Sequence, residues 1–194
     1  MMGDLTFDSS RALEGGFADV PVHSAHAFRA AMECMARPGR IEDLAGGQGP
    51  EPLSVAASVL LLTLCDPETP VHLAGDHDAG PVRDWITFHT GAPLVGPEEA
   101  MFALGTWAAL QPVDRFAIGT PEYPDRAATL IVETDRLEAE GAVLTGPGIR
   151  DQAALSLPEV AAFQANARLF PLGFDAFFTS GARVAALPRT TKVR

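Results

Sequence analysis

Several side chains in this sequence have types and neighbours that invite chemistry. Histidines and acids crowd one short stretch, His72, Asp76, His77 and Asp78, and imidazole with carboxylate suits a divalent ion. Their spacing matches no known ligand motif, however. Asp76-His77-Asp78-Ala79-Gly80-Pro81 reads as a surface loop, so no metal is expected. His23 and His26 read as surface residues at a helix start. His89, in Phe88-His89-Thr90-Gly91, falls at a helix C-terminus, where an imidazole interacts favourably with the helix dipole. Asp66 precedes Pro67 and reads as a residue that opens a turn at the edge of the core. Glu122 sits between Pro121 and Tyr123 in a stiff loop, the kind of segment on which site residues are carried. Arg37 and Arg40 flank Pro38-Gly39, and Arg189 lies in Leu187-Pro188-Arg189-Thr190-Thr191. A guanidinium beside a tight turn suits bidentate recognition of phosphate or carboxylate. For each arginine singly, a solvated or salt-bridged role is the simpler reading.

Leu144-Thr145-Gly146-Pro147-Gly148-Ile149 follows a strand-like run. Gly146 and Gly148 can take positive φ while Pro147 is held near about −65°. The bland expectation is a sharp turn; the other is a nest of backbone N–H groups for an anion. It is neither a P-loop, since no Lys-Ser/Thr follows, nor a dinucleotide fingerprint. No Ser-His-Asp order, paired-carboxylate motif or nucleophile elbow is evident, so no catalytic residue is assigned.

Composition excludes more than it assigns. The sole lysine is Lys192, near the end of the chain, which leaves little scope for a lysine Schiff base or a pyridoxal-phosphate linkage. The formal net charge of −11 argues against nucleic acid or an anionic membrane as a partner. Cys34 and Cys65 form no metal or redox motif and sit among apolar residues, as buried thiols in a reducing compartment do. The start of the sequence lacks the pattern of a signal peptide, and the longest apolar stretch, 55–65, is too short to span a bilayer. A cytoplasmic protein is expected.

The elements that must position these residues follow from periodicity. A loose arm over 1–15 precedes a single domain over 16–194. A helix capped by Asp19 or Ser24 runs to about Arg37, with Phe28, Ala31, Met32 and Met35 on one face. Residues 53–64 are apolar nearly all round and read as a buried helix. Short strands are expected at 41–44, 71–73, 93–95 and 100–104, with helices at 81–90 and 106–110. Residues 128–132 form a strand that pairs with 141–144 as a hairpin; a helix over 158–170 and β-like segments at 174–179 and 183–187 follow. The alternation gives an α/β fold with a mixed sheet flanked by helices.

Taken in order, the motifs resemble a known family. Phe28-Arg29, Met35-Ala36-Arg37-Pro38-Gly39-Arg40-Ile41, Leu61-Leu62-Thr63-Leu64-Cys65-Asp66-Pro67-Glu68-Thr69-Pro70 and Phe88-His89-Thr90-Gly91 are similar to the front half of the PhnH family, a component of the carbon–phosphorus lyase system of phosphonate metabolism. Leu144-Thr145-Gly146-Pro147-Gly148-Ile149, Phe170-Pro171-Leu172-Gly173-Phe174-Asp175 and Leu187-Pro188-Arg189-Thr190-Thr191 resemble its back half. The resemblance implies a reduced form of the pyridoxal-phosphate-transferase fold without that cofactor, consistent with the lone Lys192. It implies a homodimer in isolation and assembly with the G, I and J subunits of that system. It also implies a part in a first step in which methylphosphonate displaces adenine from ATP, the substrate of the whole complex, giving α-D-ribose 1-methylphosphonate 5-triphosphate. On this basis Arg37, Arg40 and Arg189 become candidates for phosphonate, phosphate or partner contact, with Asp66, His89 and Glu122 behind them and Gly146 and Gly148 as the anion nest. Two other readings stay open: a pure scaffold with no ligand site, and an independent phosphate-binding transferase or hydrolase.

Overall fold

The computed structural model describes residues 13–194, so most of the arm expected over 1–15 lies outside the described residues. Helix α1 (Val20–Ala36) starts where the Asp19 carboxylate accepts the Val22 N–H, with Pro21 in its first turn. It leads into strand β1 (Ile41–Asp43). Helix α2 (Val55–Leu64) is capped by the Ser54 hydroxyl, which accepts the Ala57 N–H at 3.1 Å. There follow β2 (Val71–Leu73), α3 (Gly80–Thr90), β3 (Phe102–Thr106), the one-turn α4 (Trp107–Leu110) and β4 (Thr129–Glu133). The chain finishes with β5 (Ala142–Thr145), β6 (Ala153–Leu155), α5 (Val160–Ala167), β7 (Asp175–Ser180), β8 (Arg183–Leu187) and β9 (Lys192–Val193).

Six strands make one mixed sheet in the order β1-β8-β7-β4-β3-β2. Strands β2, β3, β4 and β7 are mutually parallel, while β8 pairs antiparallel with β7 and β1 pairs antiparallel with β8 at one edge. Side chains alternate across the sheet, as the two-residue period of a strand requires. Leu104, Ile131, Phe177 and Val184 face a core shared with α1, α2 and α3. Ala103, Leu130, Val132, Phe178 and Ala185 face a second core under α5 and a small sheet ordered β6-β5-β9. The expected α/β class with a mixed sheet and flanking helices is present. No helix of the described residues is long and apolar enough to cross a membrane.

Three expectations are corrected. The 128–132 and 141–144 segments do not form a hairpin: both edges of β4 are taken by parallel neighbours, and β5 pairs with β6 and β9 in the other sheet. A run that is apolar on both faces is the signature of a central parallel strand, which has no edge to spare for a hairpin partner. Residues 93–95 contribute only a single bridge, Leu94 to Val71. On α1 the buried side is Ala27, Ala31 and Cys34, small residues that let the helix approach the sheet. Phe28 and Met32 instead stand about half exposed, at 49% and 52%.

Candidate functional site

In an open α/β sheet, ligands bind beyond the carboxyl ends of the parallel strands. That edge here gathers polar side chains from separate elements. The turn Gly75–His77 follows β2, while Thr106 ends β3, Glu133 ends β4, and Thr179 and Ser180 end β7. Strand register places Thr106 beside Glu133 and Glu133 beside Thr179. Ser54, at the start of α2, closes the group from the helical side. Ser54, His77, Thr106, Glu133 and Ser180, with Thr134 and Asp135, line a cleft of about 390 Å³, and Thr179 supports it from behind Glu133.

Glu133 is held in place and only partly occupied. One of its oxygens accepts the Ser54 N–H at 2.8 Å, and the other accepts the Thr179 hydroxyl at 2.8 Å. A carboxylate offers about four lone-pair sites, so further donors can be accepted. The His77 ring is nearly enclosed, with its side chain 5% exposed, and its Nε2 lies 3.9 Å from Glu133 Oε1. That separation is too long for a hydrogen bond. Among the described residues neither ring nitrogen has a hydrogen-bond partner. Burial pushes the imidazole below its ordinary value of 6.5, with Glu133 and Asp76 pulling in the opposite direction, so the ring is neutral at pH 7. Leaving a buried polar group without a partner costs about 1–3 kcal/mol, an arrangement characteristic of a site.

Sequence reasoning misses this pair. His77 reads as part of a surface loop, yet it is buried because the turn after β2 folds inward over the strand ends. Glu133 is hidden by the mistaken hairpin. Its signal is present as the first polar residue after an apolar run, at the carboxyl end of a parallel strand. The His72, Asp76, His77 and Asp78 group does not act together. His72 Nδ1 lies 3.1 Å from the Val95 carbonyl, and Asp78 pairs with Arg83. Among the described residues no three His, Cys, Asp or Glu side chains are placed to share a metal ion.

The residues singled out in the sequence lie elsewhere. Arg37 pairs with Glu33 at 3.1 Å, and Arg40 pairs with Glu33 and Glu42. With His26 and Arg29 they border an open surface cleft of about 480 Å³ beside α1. Arg189 is largely enclosed, its guanidinium gripping Asp175 at 2.6 Å and 3.1 Å and donating to the Pro124 carbonyl at 2.7 Å. Asp66 accepts the Thr69 hydroxyl and the Glu68 N–H, which holds its carboxyl below the ordinary range and closes the turn. His89 Nε2 lies 3.0 Å from the Leu13 carbonyl, and the adjacent Trp85 indole donates to the Glu14 carbonyl at 2.8 Å, so both fasten the incoming chain to α3. Glu122 is exposed in its loop. Gly148, with φ +79°, packs so closely on the end of α1 that an added Cβ would overlap the Ala36 carbonyl, and Gly146 backs onto Thr190 and Thr191. Cys34 and Cys65 are buried, and burial pushes both thiols up to about 12, which keeps them protonated.

Comparison with known proteins gives these features a setting. Residues 15–194 match the family model described as bacterial phosphonate metabolism protein, PhnH. The α-D-ribose 1-methylphosphonate 5-triphosphate synthase subunit PhnH of Rhizobium meliloti (strain 1021) is 40% identical over 195 aligned residues, covering 95% of this chain and 96% of that protein. A putative C-P lyase subunit protein, HtxG, of Stutzerimonas stutzeri is 30% identical over 175 residues, covering 86% of this chain and 84% of its own. With a family model that spans all but its first residues and a relative aligned nearly end to end, the chain belongs to the PhnH family of bacterial phosphonate metabolism proteins.

Proposed function

We propose that this protein is a required subunit of an α-D-ribose 1-methylphosphonate 5-triphosphate synthase within a carbon–phosphorus lyase system. It supports the step in which methylphosphonate displaces adenine from ATP. The observation that carries this reading is the 40% identity, spread over 95% of the chain, to a protein named as that synthase's subunit. The chain contributes to a transferase assembly rather than catalysing alone. The reading includes partners of the G, I and J types, a homodimer in isolation, a cytoplasmic location, a likeness to a reduced pyridoxal-phosphate-transferase-like fold, and no cofactor bound by this subunit.

Helix α1 is the favoured partner surface. Phe28 and Met32 project from it beside Arg29, Arg37 and Arg40, and an apolar pair rimmed by charge is the usual composition of a protein interface. Replacing Phe28 and Met32 together by Glu is expected to leave the isolated chain within about 0.5 kcal/mol of its original stability, as surface substitutions do. Co-purification with the other subunits is lost. A doubly substituted chain that still co-purifies rules this surface out.

The function is tested by assembling the remaining subunits with and without this chain and following ATP and methylphosphonate by phosphorus NMR. Adenine release and the ribose phosphonate product are expected only when the chain is present. Full turnover in its absence overturns the reading.

A further inference from the structure

We propose that the cleft between His77 and Glu133 is a binding site for the ribose diol of a nucleoside, with the Glu133 carboxylate and the His77 imidazole as the groups that read the sugar hydroxyls. The choice of adenosine as ligand rests on the function proposed above; the chemistry of the site does not.

Four observations converge on this ligand class. The cleft lies at the carboxyl edge of four parallel strands, the place where this architecture receives small molecules, and its volume of about 390 Å³ is within the usual range for such sites. A carboxylate at a strand end is a recurrent acceptor for a ribose hydroxyl. Glu133 is positioned for that role by Ser54 and Thr179 and retains acceptor capacity. The neutral His77 ring adds one donor and one acceptor, both without a partner among the described residues and both enclosed. The rest of the lining supplies the hydroxyls of Thr106, Thr134 and Ser180 and the acid Asp135, with no arginine or lysine. Such a lining repels a phosphate or phosphonate and suits a neutral group that donates hydrogen bonds.

The anionic arms of the substrates therefore have to lie outside this cleft. A sugar bound here presents its hydroxyls to the protein. Its phosphate-bearing end and its C1′ substituent lie toward solvent, or toward whatever covers the strand ends in the assembled complex.

The test uses the full chain, alone and as co-purified complex. Binding is followed by thermal stabilisation and by the ring resonances of His77. Adenosine is expected to shift both. At a concentration 100 times its Kd it should add about 2.7 kcal/mol of stability. Removal of the diol, as in 2′,3′-dideoxyadenosine, is expected to weaken binding at least ~10-fold, the scale for unpairing a buried polar group. Adenine alone and inorganic tripolyphosphate are expected to leave the His77 resonances unmoved. The proposal is overturned if dideoxyadenosine binds as well as adenosine, if tripolyphosphate moves His77, or if adenosine moves nothing in either the chain or the complex. This ligand series needs no variant, so a misfolded mutant cannot blur it. Glu133→Gln, which keeps shape and one acceptor, should lose the preference for the diol. The two readings fail separately: a complex that requires the chain but ignores adenosine at His77 keeps the subunit function and discards the sugar site.

Discussion

The Arg189 guanidinium is engaged by the fold itself through three of its five N–H donors: it clamps both Asp175 oxygens and ties the Pro124 loop to the end of β8. The Asp175 carboxylate also accepts the Arg189 backbone N–H at 2.8 Å, so one residue supports the other twice. Arg189→Ala strands a mostly enclosed carboxylate, and breaking such a pair costs about 3 kcal/mol. In a chain of this size that lowers Tm by about 2–4 °C per kcal/mol. A calorimetric scan checks it. An unchanged Tm with lost turnover would instead mean that the arginine's role is contact with substrate or partner. His77 supports a prediction of opposite kind, in pH. Its folded pKa lies below the unfolded value of 6.5, so the unfolded chain binds the proton more readily. The stability tied to the neutral ring is complete above about pH 6.5 and declines as pH falls through the folded value. His77→Leu is expected to flatten that part of the curve. Denaturant midpoints for both proteins at pH 7.5 and pH 5 decide it, and parallel losses would exclude the histidine as the titrating group.

At the scale of elements, the family motifs turn out to be places where segments touch. Gly148 lets the β5–β6 turn abut the last carbonyl of α1, next to Pro38. Gly91 ends α3 with φ 69° and meets Pro67 from the turn that Asp66 closes. Gly173 sits against Asn166, whose amide both donates to and accepts from Phe174. Gly148→Ala therefore forces both a left-handed conformation, worth roughly 1–2 kcal/mol, and a backbone collision. A total loss of about 3–4 kcal/mol is expected, in the range reserved for named defects of this sort. Gly181 is the control: φ is +57° but nothing lies within 4 Å of an added Cβ, so Gly181→Ala should cost only about 1 kcal/mol. Urea titrations of the two variants make the comparison, and equal losses would show that φ alone matters. These junctions also explain what was legible in the sequence. Asp19 and Gly91 announce helix ends through local chemistry, and the apolar run before Leu64 announces a buried helix. The pairing of β5 with β6 and β9, and the turn of Phe28 and Met32 away from the core, depend on contacts between distant segments that no local period encodes.

For the molecule as a whole, the formal charge of −11 bears on where a nucleotide can sit. Glu133 and Asp135 add to that field at the strand ends, while the arginines nearest an open cleft, Arg29, Arg37 and Arg40, lie on α1 and in the turn after it and are interleaved with Glu33, Glu42 and Asp43. The sequence displays these arginines openly, whereas the Glu133–His77 pair exists only once β2, β4 and α2 converge, which is why anion-binding candidates are easy to nominate from sequence and the sugar site is not. The field then separates two ligands that share a nucleoside. Adenosine is neutral, so its affinity for the isolated chain should change by less than about 2-fold when ionic strength rises from roughly 0.1 M to 1 M, where the screening length falls from about 10 Å to about 3 Å. ATP carries its triphosphate into the negative field. At about 10 Å each like-charge pair costs ~0.4 kcal/mol even at the dielectric constant of water, and several pairs contribute. ATP should therefore bind the isolated chain at least ~10-fold more weakly than adenosine at low salt, and the gap should narrow as salt is added. Titration calorimetry of both ligands across that salt range makes the measurement. The opposite trend, ATP binding more tightly at low salt and weakening with salt, would move the nucleotide to the arginine cleft beside α1. In the assembled complex the same argument requires the triphosphate to be neutralised by cationic groups from another subunit facing the strand ends.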